Sequence, residues 1–299
     1  MQSISNYILF RGEKIWYWIY GETQPNVSPL LVVHGGPGSP HNYLLPLAEL
    51  AKERPIIFYD QFGCGKSFYL GKNKSRWCLE YFLKELIELV RQLNLKNFHL
   101  FGHSWGSILA TEYALLFQTN LKSLILASPC LSIPMWVADT QKLLNTLPKE
   151  IVETLEMYQT QSKTDTDEFQ ILAMEYYERY VCRLREWPKA MMDSIDGAND
   201  VVYKTIWGES EFLLTGNISD YDITSQLSEI TVSTLLTCGY YDEATLETTM
   251  FYKSLLPKSE IKVFENSSHL PHFEETGKYL QVLSDFMRLN SKQRNDLRQ

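Results

Sequence analysis

No stretch of this chain approaches the roughly 18 uninterrupted apolar residues that would suggest a membrane span. Nor is there a basic excess. Twenty-eight lysines and arginines stand against 36 aspartates and glutamates, a formal net charge of −8, whereas nucleic-acid binders carry a basic patch or stripe. Neither a nucleic acid nor a membrane is therefore an expected partner. Cysteine is sparse, odd in number and scattered, at Cys64, Cys78, Cys130, Cys182 and Cys238. With no CxxC pair and no zinc spacing, these read as reduced thiols of a cytoplasmic protein. The opening residues MQSISNYILFRGEKIW lack the basic start and apolar core of a signal peptide. Without such a signal, the sequons at Asn26, Asn73, Asn217 and Asn266 read as chance matches.

What is present suffices for a sizeable core. The 299 residues are 44% apolar and 21% charged, ordinary globular usage that fits one large domain or a domain with an insertion. No internal repeat or low-complexity tract occurs. Residues 29–33, 55–59, 98–101 and 121–126 predict short buried strands. Leu79, Phe82, Leu83, Leu86, Ile87, Val90 and Leu93 follow helical spacing, and a second helix is expected over 105–117. Such strand–helix alternation predicts a mostly parallel sheet with helices on both faces. The rhythm changes near Pro134. From there to Tyr221 the chain is helical in character and rich in aromatic residues, including Trp136, Tyr176, Tyr177, Tyr180, Trp187 and Trp207. Strand patterns return at 231–237 and 261–264, followed by a helix around 280–289. The expected organisation is a core of residues 1–133 and 222–299 with a helical cap, 134–221, over the strand ends where ligands bind.

Gly102-His103-Ser104-Trp105-Gly106 matches G-x-S-x-G between a strand and a helix, the context of a serine nucleophile in a sharp turn. Its glycines let the chain pack closely while the turn pushes the hydroxyl out of the sheet. A serine needs a base oriented by an acid. In this architecture the order is serine, acid, histidine. Asp242 and His269 satisfy it, each following a strand, with Glu243 an alternative acid. His34, His41, His99 and His103 precede or flank the serine; His272 remains a rival base. The glycine-rich loop His34-Gly35-Gly36-Pro37-Gly38 follows the first buried strand. It is expected to supply the Gly36 amide to an oxyanion hole, with the Trp105 amide as the other donor. Gly63-Cys64-Gly65-Lys66-Ser67 looks like the end of a phosphate-binding loop, but Asp60 stands where that motif opens with glycine.

Taken together, HGGPG at 34–38, YDQFGCGKS at 59–67, GHSWGS at 102–107, WGESEF at 207–212, GYYDEAT at 239–245 and SSHLPHFEE at 267–275 resemble the prolyl aminopeptidase (proline iminopeptidase) family of α/β-hydrolases. That family includes tricorn-interacting aminopeptidases and some amino-acid amidases. The resemblance covers nearly the whole chain and is weakest over about 134–205. It implies an α/β-hydrolase fold with an inserted cap and a Ser104, Asp242 and His269 triad. It also implies release of an N-terminal residue, often proline, from short peptides or amino-acid amides with a free N-terminus. Two glutamates hold the substrate amine in this family; they match Glu211 and Glu243, with Glu209 a nearby rival. A carboxylate pair in a partly dry site distinguishes a charged amine from an internal amide through charge-assisted hydrogen bonds. His103 departs from the glycine that many prolyl members carry before the nucleophile. No metal or organic cofactor is implied. Two other readings stand beside this one: an amino-acid amide or small-ester hydrolase with the same triad, and a non-catalytic binding protein on a hydrolase fold.

Overall fold

The computed structural model describes residues 3–22, 27–69, 71 and 74–292; Asn26 and Asn73 of the sequons lie outside them. Eight strands form one sheet: β1 (Ser3–Phe10), β2 (Glu13–Tyr20), β3 (Leu30–Val33), β4 (Ile56–Tyr59), β5 (Phe98–His103), β6 (Leu121–Ala127), β7 (Thr234–Gly239) and β8 (Ser259–Phe264). Their spatial order is β1-β2-β4-β3-β5-β6-β7-β8. β2 runs antiparallel to β1 and β4, and the pairs from β4 to β8 are parallel. Helices are α1 (Leu79–Gln92), α2 (Trp105–Phe117), α3 (Ile133–Leu144), α4 (Lys149–Thr160), α5 (Asp167–Tyr180), α6 (Lys189–Asp196), α7 (Asp200–Ile206), α8 (Leu246–Leu255), α9 (Pro271–Glu274) and α10 (Thr276–Lys292). A 3-10 stretch spans His41–Lys52.

The central strands β3 to β7 are apolar on both sides because both sides are covered. Leu31, Val33, Ile57, Leu100 and Leu126 face a core shared with Phe82 and Leu86 of α1, Ile108 of α2 and Tyr252 of α8. The alternating residues Leu30, Val32, Ile56, Phe101 and Ile125 pack against Leu44 and Leu47 of the 3-10 stretch and Leu283 and Met287 of α10. This two-residue alternation is how one short run serves two layers. α1 follows the helical spacing read from the sequence, and each fully buried Phe or Leu on it contributes about 1.5–3 kcal/mol.

The sequence reading missed the β1–β2 hairpin. Only Ile8 and Phe10 of β1 are buried, too few to mark a strand by alternation. Its turn, Arg11-Gly12, has positive φ at both residues (51° and 87°), the geometry of a tight hairpin turn. The 231–237 strand begins later than expected, at Thr234, and runs on to Gly239.

Five helices, α3 to α7, lie between β6 and β7 with no strand among the described residues of that segment. Its ends are zipped together. The Ile133 amide donates to Tyr221 O (2.8 Å), the Ile223 amide to Leu131 O (3.1 Å), and Ser132 Oγ to Asp222 Oδ2 (2.9 Å). The segment has its own small core of Leu144, Leu155, Phe169, Tyr176 and Phe212. Among the described residues no helix is long and apolar enough to cross a membrane.

Candidate active site

Ser104 sits between the end of β5 and the start of α2 with φ 53° and ψ −123°, a conformation L-residues adopt only when the surroundings enforce it. The enforcement is steric. A Cβ on Gly106 would lie 2.3 Å from Val33 O, and one on Gly102 would lie 2.3 Å from Gly106 O, so neither flanking position accepts a side chain. Ser104 N donates to Ala127 O of β6 (3.0 Å), tying the turn to the neighbouring strand. Trp105 is the first residue of α2, so its amide belongs to the helix N-terminus, where negative charge is favoured.

Asp242 and His269 emerge from the loops after β7 and β8, and His269 lines one cavity with Ser104. His269 Nδ1 is 2.7 Å from Asp242 Oδ1. The carboxylate is further fixed by the Ala244 amide on Oδ1 (2.8 Å) and by Ser128 Oγ (2.6 Å) and the Gly239 amide (3.2 Å) on Oδ2. All its partners are donors, so His269 must hold its proton on Nδ1, leaving Nε2 as an acceptor. Ser128 was missed by sequence reasoning. It follows β6 directly and has a positive φ of 45°, and its hydroxyl also lies 3.2 Å from His269 O.

Ser104, His269 and Gly36 line one cavity of about 130 Å³, together with Tyr43, His103, Val181, Met191, Ser194, Ile195, Tyr203, Glu211, Glu243 and Leu270. Gly36 has φ +107°, and a Cβ there would come within 2.8 Å of the Ser39 and Gly38 amides. Backbone can approach a ligand here where a side chain could not. His34 anchors this loop: its Nε2 accepts the Gln61 amide (2.9 Å), and burial lowers its pKa to about 4.

Glu211 and Glu243 line the same cavity. Glu243 Oε1 is 3.9 Å from His269 Nε2, and its Oε2 has no hydrogen-bond partner among the described residues. Burial holds the Glu243 carboxyl well above the usual carboxylate range, and the negative charges of Glu211 and Asp242 push it further. Burial also raises Glu211, against the opposing Tyr203 hydroxyl and His269. Tyr203 OH donates to Glu211 Oε1 (2.8 Å) and Trp136 Nε1 to Glu211 O (3.1 Å). Neither Tyr203 nor Trp136 carries a spacing signal that links it to Glu211.

The rivals lie elsewhere. Glu209 accepts from Thr164 Oγ1 (2.9 Å) and Lys204 Nζ (3.0 Å). His272 is fully buried, neither ring nitrogen has a partner among the described residues, and burial lowers its pKa to about 3. In the 63–67 turn, the Lys66 amide donates to Asp60 Oδ2 (2.9 Å), so a carboxylate occupies the place a phosphate would need. Of the aromatic residues noted in the inserted segment, Trp136, Tyr176 and Trp207 are buried in cores rather than lining the cavity. Among the described residues no group of His, Cys, Asp and Glu could hold a metal ion.

A family model described as alpha/beta hydrolase fold matches residues 28–276. A proline iminopeptidase of Heyndrickxia coagulans is 44% identical over 261 residues, 87% of this chain and 90% of that protein. One from Saccharolobus solfataricus is 36% identical, covering 92% of this chain and 89% of its own length. Among solved structures, VinJ superposes with a TM-score of 0.92 at 32% identity, covering 95% of this chain and 98% of its own. The proline iminopeptidase of Mycobacterium smegmatis superposes with a TM-score of 0.88 at 29% identity, over 96% of this chain and 99% of its own. The sheet order, the strained serine turn and these likenesses agree: the chain belongs to the proline iminopeptidase family of α/β hydrolases.

Proposed function

We propose that this protein is a serine aminopeptidase that releases a single N-terminal residue, proline, from short peptides through an acyl-enzyme. The observation that carries this reading is the 3.9 Å separation of Glu243 Oε1 and His269 Nε2. An amine held by Glu243 and Glu211 leaves room for one residue between that amine and the carbonyl under attack. A longer N-terminal segment would place its amine beyond the pair. The cavity walls from Val181, Met191, Ile195 and Leu270 are apolar, and its volume is about 130 Å³. An apolar cavity of about 150 Å³ accepts a benzene ring, so a pyrrolidine ring suits this one.

In this mechanism Ser104 attacks the first carbonyl while His269 Nε2 takes its proton, and Asp242 holds the imidazole in that tautomer. The Gly36 and Trp105 amides receive the developing oxyanion. His269 then protonates the leaving amine, and water releases the acyl group by the reverse sequence. Residues 134–221 act as the cap, contributing Val181, Met191, Ile195, Tyr203 and Glu211 to the cavity. Five unpaired cysteines suit a reducing compartment, the cytoplasm.

The test is a panel of proline, alanine and leucine aryl amides, each with a free and an acetylated amine. Proline with a free amine is expected to turn over fastest, and acetylation to suppress it. Equal turnover of the acetylated substrates would remove the amine-anchoring role and favour an esterase-like enzyme. Ser104→Ala is expected to abolish both turnover and labelling by a fluorophosphonate.

A further inference from the structure

His103, the residue before the nucleophile, connects the candidate base to the oxyanion loop. It is buried at the end of β5. Its Nε2 lies 3.0 Å from His269 O, and its Nδ1 lies 3.0 Å from Tyr43 OH. The same Tyr43 oxygen accepts the Gly35 amide at 2.6 Å. Burial, with His269 and His272 nearby, keeps the His103 pKa well below the usual histidine range, so the ring is neutral and carries one proton. A carbonyl oxygen can only accept, which places that proton on Nε2. Nδ1 is then an acceptor and takes the Tyr43 hydroxyl proton, and the tyrosine oxygen is left to receive Gly35 N–H. Every direction in the chain from Gly35 N–H to Tyr43 O–H to His103 Nε2–H to His269 O is thereby fixed.

We propose that His103 and Tyr43 form a positioning pair that holds the base loop and the oxyanion loop in register with Ser104. The proposal rests on the assignment of Ser104, Asp242 and His269 made above. Three segments distant in sequence meet in this chain: Gly35 adjoins Gly36, His103 adjoins Ser104, and His269 receives the last bond through its own backbone. Tyr43 is itself held. Its amide donates to Ser194 Oγ (2.8 Å), and Ser194 Oγ donates to Pro40 O (2.9 Å), so α6 of the inserted segment fixes the middle of the relay. Neither partner touches Asp242, so loss of the relay leaves the acid–base hydrogen bond without a broken partner.

Tyr43→Phe removes one oxygen, while His103→Gln keeps an N–H near the Nε2 position and His103→Ala removes both links. Removing an oxyanion donor outright costs about 10²–10³ in kcat. Displacing its loop should cost less. We expect Tyr43→Phe to lower kcat on the proline aryl amide about 10- to 100-fold with KM within threefold, and the rate of fluorophosphonate labelling to fall in parallel. His103→Gln should retain more kcat than His103→Ala. Because the residues form one chain, the Tyr43→Phe, His103→Ala double variant should fall little further than the worse single variant. Nitrogen-15 NMR of the imidazole should show His103 as the Nε2–H tautomer in the wild type and in Tyr43→Phe alike, with the Nδ1 resonance of the variant shifted to that of an acceptor that has lost its hydrogen bond. A folded Tyr43→Phe protein with unchanged kcat, or with raised KM alone, overturns the proposal, whether or not His103→Ala folds. A wild-type protein that neither labels at Ser104 nor cleaves the amide overturns the serine assignment instead; the tautomer spectrum still decides whether the relay exists.

Discussion

Glu243 is expected to weaken the fold and strengthen catalysis, so Glu243→Gln should move the two in opposite directions. The carboxyl is buried, its Oε2 is unpartnered among the described residues, and burial together with Glu211 holds it well above the usual carboxylate range. An acid with a raised folded pKa gives up its proton more easily in the unfolded chain. Stability is therefore lost as pH rises from the ordinary glutamate value of about 4.3 to the raised one, and remains lost above it. Glutamine has no proton to lose. The variant should therefore be more stable than the wild type near neutral pH. Below about pH 4 it should gain nothing. Catalysis goes the other way. A charge-assisted hydrogen bond contributes about 1.5–3 kcal/mol, and its loss should lower kcat/KM for a free-amine substrate by about 10- to 150-fold, mostly through KM. The acetylated substrate should be unaffected. In the wild type, binding of the ammonium should weaken as pH falls through the raised pKa. Thermal unfolding at two pH values and kinetics on the paired substrates read both effects. A less stable variant at neutral pH, or equal losses on free and acetylated substrates, would refute the reasoning.

Asp242→Asn should reduce kcat by about 10³–10⁴. Either its amide nitrogen faces His269 Nδ1 and forces the wrong tautomer, or it faces the Gly239 amide that Oδ2 now accepts; steady-state kinetics with a loss under tenfold would contradict this. Glu85 of α1 is fully buried, and its Oε2 accepts the Phe62 amide at 2.9 Å. Burial raises its pKa well above the usual range, so stability carried by the neutral acid diminishes as pH rises above the unfolded value. Glu85→Gln should therefore match or exceed wild-type stability near neutral pH. Glu85→Ala should lose about 2–4 kcal/mol by orphaning Phe62 N–H and opening a cavity. Denaturant unfolding separates them, and equal midpoints for the two variants would count against this account.

The parts of the site legible in the sequence are those where sterics or chain order leave one solution. Gly102 and Gly106 mark the serine turn because backbone occupies the space any Cβ would need. Asp242 and His269 are legible because each follows a strand in the order this architecture requires. Glu211 and Glu243 needed the resemblance, since a buried and a solvated glutamate look alike until the fold is known. The β1–β2 hairpin escaped notice because β1 buries only two side chains. The hydroxyl partners escaped for a different reason: Tyr43, Ser128 and Tyr203 reach the site from separate elements, and no spacing relates them to the residues they hold. Ser128 is nonetheless within reach of the rule that found Asp242. β6 lies between β5 and β7 in the sheet, and its carboxyl end must open beside Ser104 and Asp242. A polar residue just past that strand therefore has only the site to serve, and the 2.6 Å bond from Ser128 Oγ to Asp242 Oδ2 is the consequence. Sheet order thus supplies what residue spacing cannot. It identifies which strand ends converge, and so which short polar side chains must find partners there or remain buried without one.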